Sequence, residues 1–102
     1  MRVLSLPPFD DWLAKLRDRQ ARIRIVQRMN RLGAGNAGDH RSVGAGVFEL
    51  RIDYGPGYRV YYVQRGQILV VLLCGGDKSS QDKDIKRAQA LAVNIDEESL
   101  WP

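Results

Sequence analysis

The chain predicts an α+β fold: an N-terminal helical hairpin packed on a small antiparallel sheet, closed by a C-terminal helix. Three observations predict it. Apolar residues recur at helical spacing as far as Leu32, the period changes to two from Val47, and a helical stripe returns after Gln81. The 102 residues are read as one domain, 1–102, long enough for a single modest core.

Met1 to Leu6 reads as a short strand, which Pro7 and Pro8 end while opening the next element. Phe9 to Arg17 is predicted helical, with Phe9, Trp12, Leu13 and Leu16 on one side. Asp18 caps a second helix that carries Ile25, Val26, Met29 and Leu32 inward and stops at Gly33 and Gly35. Residues 33–46 are glycine-rich and read as a mobile loop; GxGNxGD hints at a phosphate cradle, but no strand precedes it.

Phe48, Leu50 and Ile52 then alternate with Glu49, Arg51 and Asp53. The turn Tyr54-Gly-Pro-Gly-Tyr58 reverses the chain, and Tyr58, Val60 and Tyr62 alternate with Arg59, Tyr61 and Val63. Arg65-Gly66 makes a second turn, and Ile68 to Leu73, apolar on both faces, reads as a central strand. Ser79 or Ser80 caps a last helix, Gln81 to Val93, with Ile85, Ala88 and Leu91/Ala92 as its stripe. Residues 96–102 read as a frayed acidic tail.

Charge is uneven. Residues 1–65 hold 12 Lys/Arg against 6 Asp/Glu, residues 66–102 hold 4 against 6, and twelve of the sixteen cations are arginine. Arginine's planar fork matches phosphate and stacks on bases, which leans toward nucleic acid. No apolar run approaches a membrane span, and the N-terminus is too soon acidic for a secretion signal. Cys74 stands alone, so no internal disulfide is expected and the cytoplasm is the expected compartment. No His/Cys/Asp cluster has metal-ligand spacing, and no metal or other cofactor is implied.

Pairing Tyr54 with Tyr58 sets Arg51 opposite Tyr61 and Asp53 opposite Arg59, with Glu49 on the same face. Cations gathered on one small patch call for a phosphate-bearing partner. The bland alternatives are a cross-strand pair of Arg59 with Asp53 and an ordinary solvated pair of Arg51 with Glu49. Arg24, Arg28 and Arg31, at i, i+4 and i+7, form either a solvated helix face or a phosphate track.

The segments WLAKLRD, GNAGDHRSVGAGVFELRI, GPGYRVYY and LLCGGDKSSQDKDI, covering about residues 9–93, resemble the RelE/ParE superfamily of toxin–antitoxin toxins. The likeness is to its HigB-like branch of addiction-module killer proteins. The resemblance implies a cytoplasmic toxin neutralised by a helix-turn-helix antitoxin, through which alone it would meet DNA. RelE-like members cut mRNA on the ribosome; ParE-like members poison DNA gyrase. The arginine of the YRVxY strand matches Arg59, which in RNA-cutting relatives contacts the scissile phosphate. The preceding basic pair matches Glu49 and Arg51, the first acidic here, and the basic residue after the last strand matches Lys78. The aromatic or histidine of the relatives' last helix has no counterpart in SQDKDIKRAQ.

On this reading the chain is an mRNA endonuclease that needs no metal, and a gyrase poison or an inactive antitoxin-binding module are its alternatives. Arg59 and Arg51 stabilise charge on the phosphate, Lys78 meets the leaving oxygen, and Glu49 is the nominated general base. Tyr61, Arg24, Arg28 and Arg31 are the expected RNA-binding residues. His40, the single histidine, cannot supply a two-histidine acid–base pair, and Cys74 is expected to be a buried strand residue.

Overall fold

The computed structural model describes residues 1–95, so the predicted tail and Trp101 lie outside the described residues. The order is β1 (Arg2–Ser5), α1 (Pro7–Lys15), α2 (Arg19–Gly33), β2 (His40–Ser42), β3 (Phe48–Ile52), β4 (Tyr58–Arg65), β5 (Leu69–Asp77), a 3-10 turn (Lys78–Ser80) and α3 (Gln81–Val93). The α+β fold is as the sequence predicts, with the sheet larger than expected.

Five strands form that sheet, in the order β1-β5-β4-β3-β2. It is mixed, because β1 lies parallel to β5 while the other neighbours are antiparallel. Part of the glycine-rich segment, expected to be loop, is β2, which pairs with β3 from His40↔Leu50 to Ser42↔Phe48. As predicted, β5 is central, flanked by β1 and β4 and buried from Leu69 to Gly76.

Helices cover both faces. On one, Phe9, Ala21, Ile25 and Leu32 pack against Leu50, Ile52, Tyr58, Val60 and Tyr62. On the other, Ala88 with Ile85, Leu91 and Ala92 of α3 packs against Tyr61, Val63, Leu69, Val71 and Leu73. The two layers follow from β4, whose alternate residues are apolar in both phases beyond Val60. A bulge between Tyr61 and Tyr62 lets Leu73 and Cys74 face the same side.

Asp18 caps α2 as predicted, its Oδ1 accepting from the amides of Gln20 (3.0 Å) and Ala21 (3.2 Å). Val26 does not join the core: it is 40 % exposed beside the equally exposed Ile23. Ser80 sits at the N-cap of α3 without a side-chain cap bond, while Asp77 caps the preceding 3-10 turn, accepting from the Ser79 amide at 2.8 Å. Among the described residues no helix is long and apolar enough to cross a membrane.

Candidate functional site: a cationic cleft at the open end of the sheet

The site is built at the β3–β4 turn. The observed register pairs Glu49 with Tyr61, Arg51 with Arg59 and Ile52 with Tyr58, two residues away from the predicted pairing. Its cause is the turn, in which Gly57 donates to the Tyr54 carbonyl (3.1 Å) and Gly55 and Gly57 both adopt positive φ (56° and 82°). Only glycine takes these angles without strain, so Asp53 to Gly57 forms a longer loop than expected. A shift of two keeps each side chain on its face.

Arg51 and Arg59 therefore stand directly opposite each other, an unfavourable placement for like charges unless each has a counter-charge. Arg51 has Asp39, whose Oδ1 accepts from Nε at 3.0 Å and Nη2 at 2.6 Å. Arg59 has Glu49, with Nε 3.8 Å from Oε1, while its Nη1 donates to the Tyr58 carbonyl at 3.1 Å. Among the described residues no ion pair joins Asp53 to Arg59, so that bland alternative is not what the fold adopts. Lys78 arrives from the end of β5. A Cβ placed on Gly57 would sit 3.5 Å from both Arg59 Nη1 and Lys78 Cβ, which measures how closely the two cations flank this glycine.

Arg51, Arg59 and Lys78 line one open cleft of about 400 Å³ together with Asp39, Asp53 and the 55–57 turn. The three cations nominated from sequence are thus brought together. Two carboxylates share the cleft, of which Asp39, presented by the glycine-rich segment, had no sequence signal beyond its neighbourhood.

Glu49 lies elsewhere. It has no exposed surface, and its carboxylate accepts from Arg41 Nε (2.9 Å), the Tyr61 hydroxyl (3.0 Å) and Gln81 Nε2 (2.8 Å). Burial by itself would raise its pKa, but the hydrogen bonds from Gln81, Arg41 and Tyr61 and the Arg41 charge outweigh it, holding the carboxyl below its ordinary range. An enclosed, ionised carboxylate with three donors cannot serve as the general base expected of it. Beside Arg59 Nε it is placed to orient the guanidinium instead. Tyr61 is equally enclosed, its phenol pushed far above the usual range by burial and by Glu49, so it cannot stack on a base. The α3 stripe was the signal for this burial: α1 and α2 claim one sheet face, leaving α3 only the face that carries Glu49 and Tyr61.

The arginine row of α2 also divides. Arg28 spends its guanidinium on carbonyls, Nη1 donating to Arg51 (2.5 Å) and Nη2 to Ala37 (2.9 Å) and Asp39 (3.1 Å). It is a strut that fixes the segment carrying Asp39 against β3, not a free phosphate ligand. Burial, with help from the Arg31 charge, lowers its pKa. Arg24 and Arg31 stay exposed, Arg24 lying over the Tyr54 ring at 4.6 Å from its centroid. Both line a second depression, of about 540 Å³, that adjoins the cleft through Asp53.

His40 is exposed on the opposite sheet face, 6.2 Å from the Phe48 ring. Cys74 is buried as expected, and burial pushes its thiol up to about 11. Among the described residues no group of three His, Cys, Asp or Glu is placed to hold a metal ion.

Comparison with known proteins gives two similarities. Residues 11–94 match the family described as "Phage derived protein Gp49-like (DUF891)". A Haemophilus influenzae (strain Rd) protein, named only "Uncharacterized protein", is 58 % identical over 87 residues, which span 85 % of this chain and 88 % of that one.

Proposed function

Starting from the fact that the chain belongs to the phage-derived Gp49-like family, we propose that it is the toxin of a type II toxin–antitoxin module that cleaves mRNA on the ribosome. The family is toxin–antitoxin associated and related to addiction-module killer proteins. The observation that carries the finer reading is the convergence of Arg51, Arg59 and Lys78 on one open cleft. Three positive charges around one open cleft, roomy enough to admit a phosphodiester, suit a transition state with extra charge on its oxygens.

The chemistry needs no covalent enzyme intermediate. The 2′-oxygen attacks phosphorus, the 5′-oxygen departs, and a 2′,3′-cyclic phosphate and a 5′-hydroxyl result. Arg59 and Arg51 bind the non-bridging oxygens, and the Lys78 ammonium gives its proton to the leaving 5′-oxygen. Arg51 must first exchange Asp39 for phosphate, which frees the Asp39 carboxylate. Asp39 and Asp53, rather than the enclosed Glu49, are then the cleft's groups for accepting the 2′-hydroxyl proton. The ribosome orders the message, and the protein acts in the same compartment. An antitoxin, a helix-turn-helix protein on this reading, silences the toxin with carboxylates that occupy the same cations.

Arg59→Ala should lower message cleavage by about a hundredfold or more and abolish growth arrest on induction, with the fold largely intact by circular dichroism. Mapping transcript 5′ ends after brief induction measures the first, and the growth curve of the induced culture the second. Intact transcripts with DNA-damage signalling would make the protein a gyrase poison instead. Normal growth on induction of the unaltered toxin without antitoxin would make it an inactive binding module.

A further inference from the structure

Beside the cleft, between α2 and the end of β3, lies the larger depression lined by Arg24, Gln27, Arg28, Asn30, Arg31 and Asp53, with Ile52 beneath. Gln27 and Asn30 stand three positions apart on α2, so their amides share a face, and both are exposed. Neither side-chain amide has a hydrogen-bond partner among the described residues. Flanking them are the guanidinium of Arg24, seated on Tyr54, and that of Arg31. Across its 15 residues α2 carries five arginines and no acid.

We propose that this depression is a base-reading subsite for single-stranded RNA, taking the nucleotide next to the one whose phosphate lies in the cleft. The two depressions share Asp53, so a strand leaving one enters the other. Arg24 and Arg31 would hold its phosphates. The Gln27 and Asn30 amides would read the base edge, each presenting a donor and an acceptor in the fork that matches N6 and N7 of adenine. Asp53 can accept from the 2′-hydroxyl or from an exocyclic amine. An acidic helical peptide is the rival occupant, and the lining disfavours it. Such a peptide needs an apolar anchor, and the single apolar liner, Ile52, is 3 % exposed.

The inference rests on the RNA reading of the cleft, and its test separates the two. Binding of 2′-fluoro pentanucleotides, which resist cleavage, is measured by fluorescence anisotropy on the full chain. Oligo-A should bind about tenfold or more tightly than oligo-C or oligo-U. In Gln27→Ala/Asn30→Ala the preference should vanish while oligo-U binding stays within about twofold; Arg24→Ala should weaken all sequences alike. Both amides are exposed, so the variants should melt with the parent, which circular dichroism checks.

No preference in the parent chain, or a preference that survives the double substitution, overturns the subsite. So does tighter binding of an Asp/Glu-rich amphipathic peptide that the double variant alone loses, which would make the groove a protein dock. If Arg59→Ala stops message cleavage while no base preference exists, the subsite fails and the nuclease reading stands. If adenine preference holds while Arg59→Ala still arrests growth, the nuclease assignment fails and the RNA groove survives.

Discussion

Glu49 is an ionised carboxylate with no exposed surface, and its neighbours explain how that is tolerated. A buried charge is costly unless paired and hydrogen-bonded, and here Arg41, Tyr61 and Gln81 all donate to it. The folded pKa lies below the ordinary glutamate value of 4.5, so the ionised form is bound more tightly in the folded state than in the unfolded one. Its stabilising contribution is therefore complete above the unfolded pKa and disappears as pH falls through the lower, folded value. Glu49→Gln should cost about 2 kcal/mol at pH 7, less than a fully buried pair because Arg41 is half exposed. Urea denaturation of both proteins from pH 7 to pH 3 measures it, and the gap should narrow as pH falls below the ordinary glutamate value. A gap of constant size across that range would mean that Gln packs badly and that the charge contributes nothing.

Among the elements, α1 is held by a contact that leaves no room for change. Trp12 lies so close to Gly75 of β5 that a Cβ there would meet the indole at 2.3 Å. The Trp12 ring also meets Phe9 (5.9 Å) and Tyr58 (6.2 Å), so it cannot withdraw without disturbing that aromatic cluster. Gly75→Ala should cost about 1–3 kcal/mol through overpacking, read as a lower urea midpoint with an unchanged m-value. Wild-type stability in that variant would mean that α1 shifts freely on the sheet.

The helices and the alternating strands around this contact were legible, because period and capping residues are local signals. Three features were not. The parallel pairing of β1 depends on which strand it meets, which no local pattern records. His40–Ser42 is too short, and too exposed on every residue, to show a period of two. The β3–β4 register turned on two glycines whose positive φ admits a longer loop, although the faces survived the shift. The three cations of the cleft were found for that reason, whereas Glu49 and Tyr61 were misjudged by treating their face as open to solvent along its whole length.

Across the whole molecule, helices on both sheet faces leave Arg51 of β3 and Arg59 of β4 beside an open cleft at one end of the sheet. There the segment from 33 to 46, the 53–57 turn and the 3-10 turn after β5 meet, and beside the strut Arg28 five further cations, Arg24, Arg31, Arg51, Arg59 and Lys78, line two adjoining depressions. The carboxylates of Asp39 and Asp53 temper that field locally. Only counter-ions released by real phosphate contacts will therefore appear in a salt titration. Each contact with a single strand adds about −0.7 to the slope of log Kobs against log[salt]. Four or five contacts predict a slope of about −3, and Arg24→Ala should make it shallower by about 0.7. Anisotropy titrations of 2′-fluoro oligo-U between 50 and about 300 mM salt read the slope directly. A slope near zero would mean that the strand bypasses both depressions, and the cations would then be answering to the protein's own acids rather than to RNA.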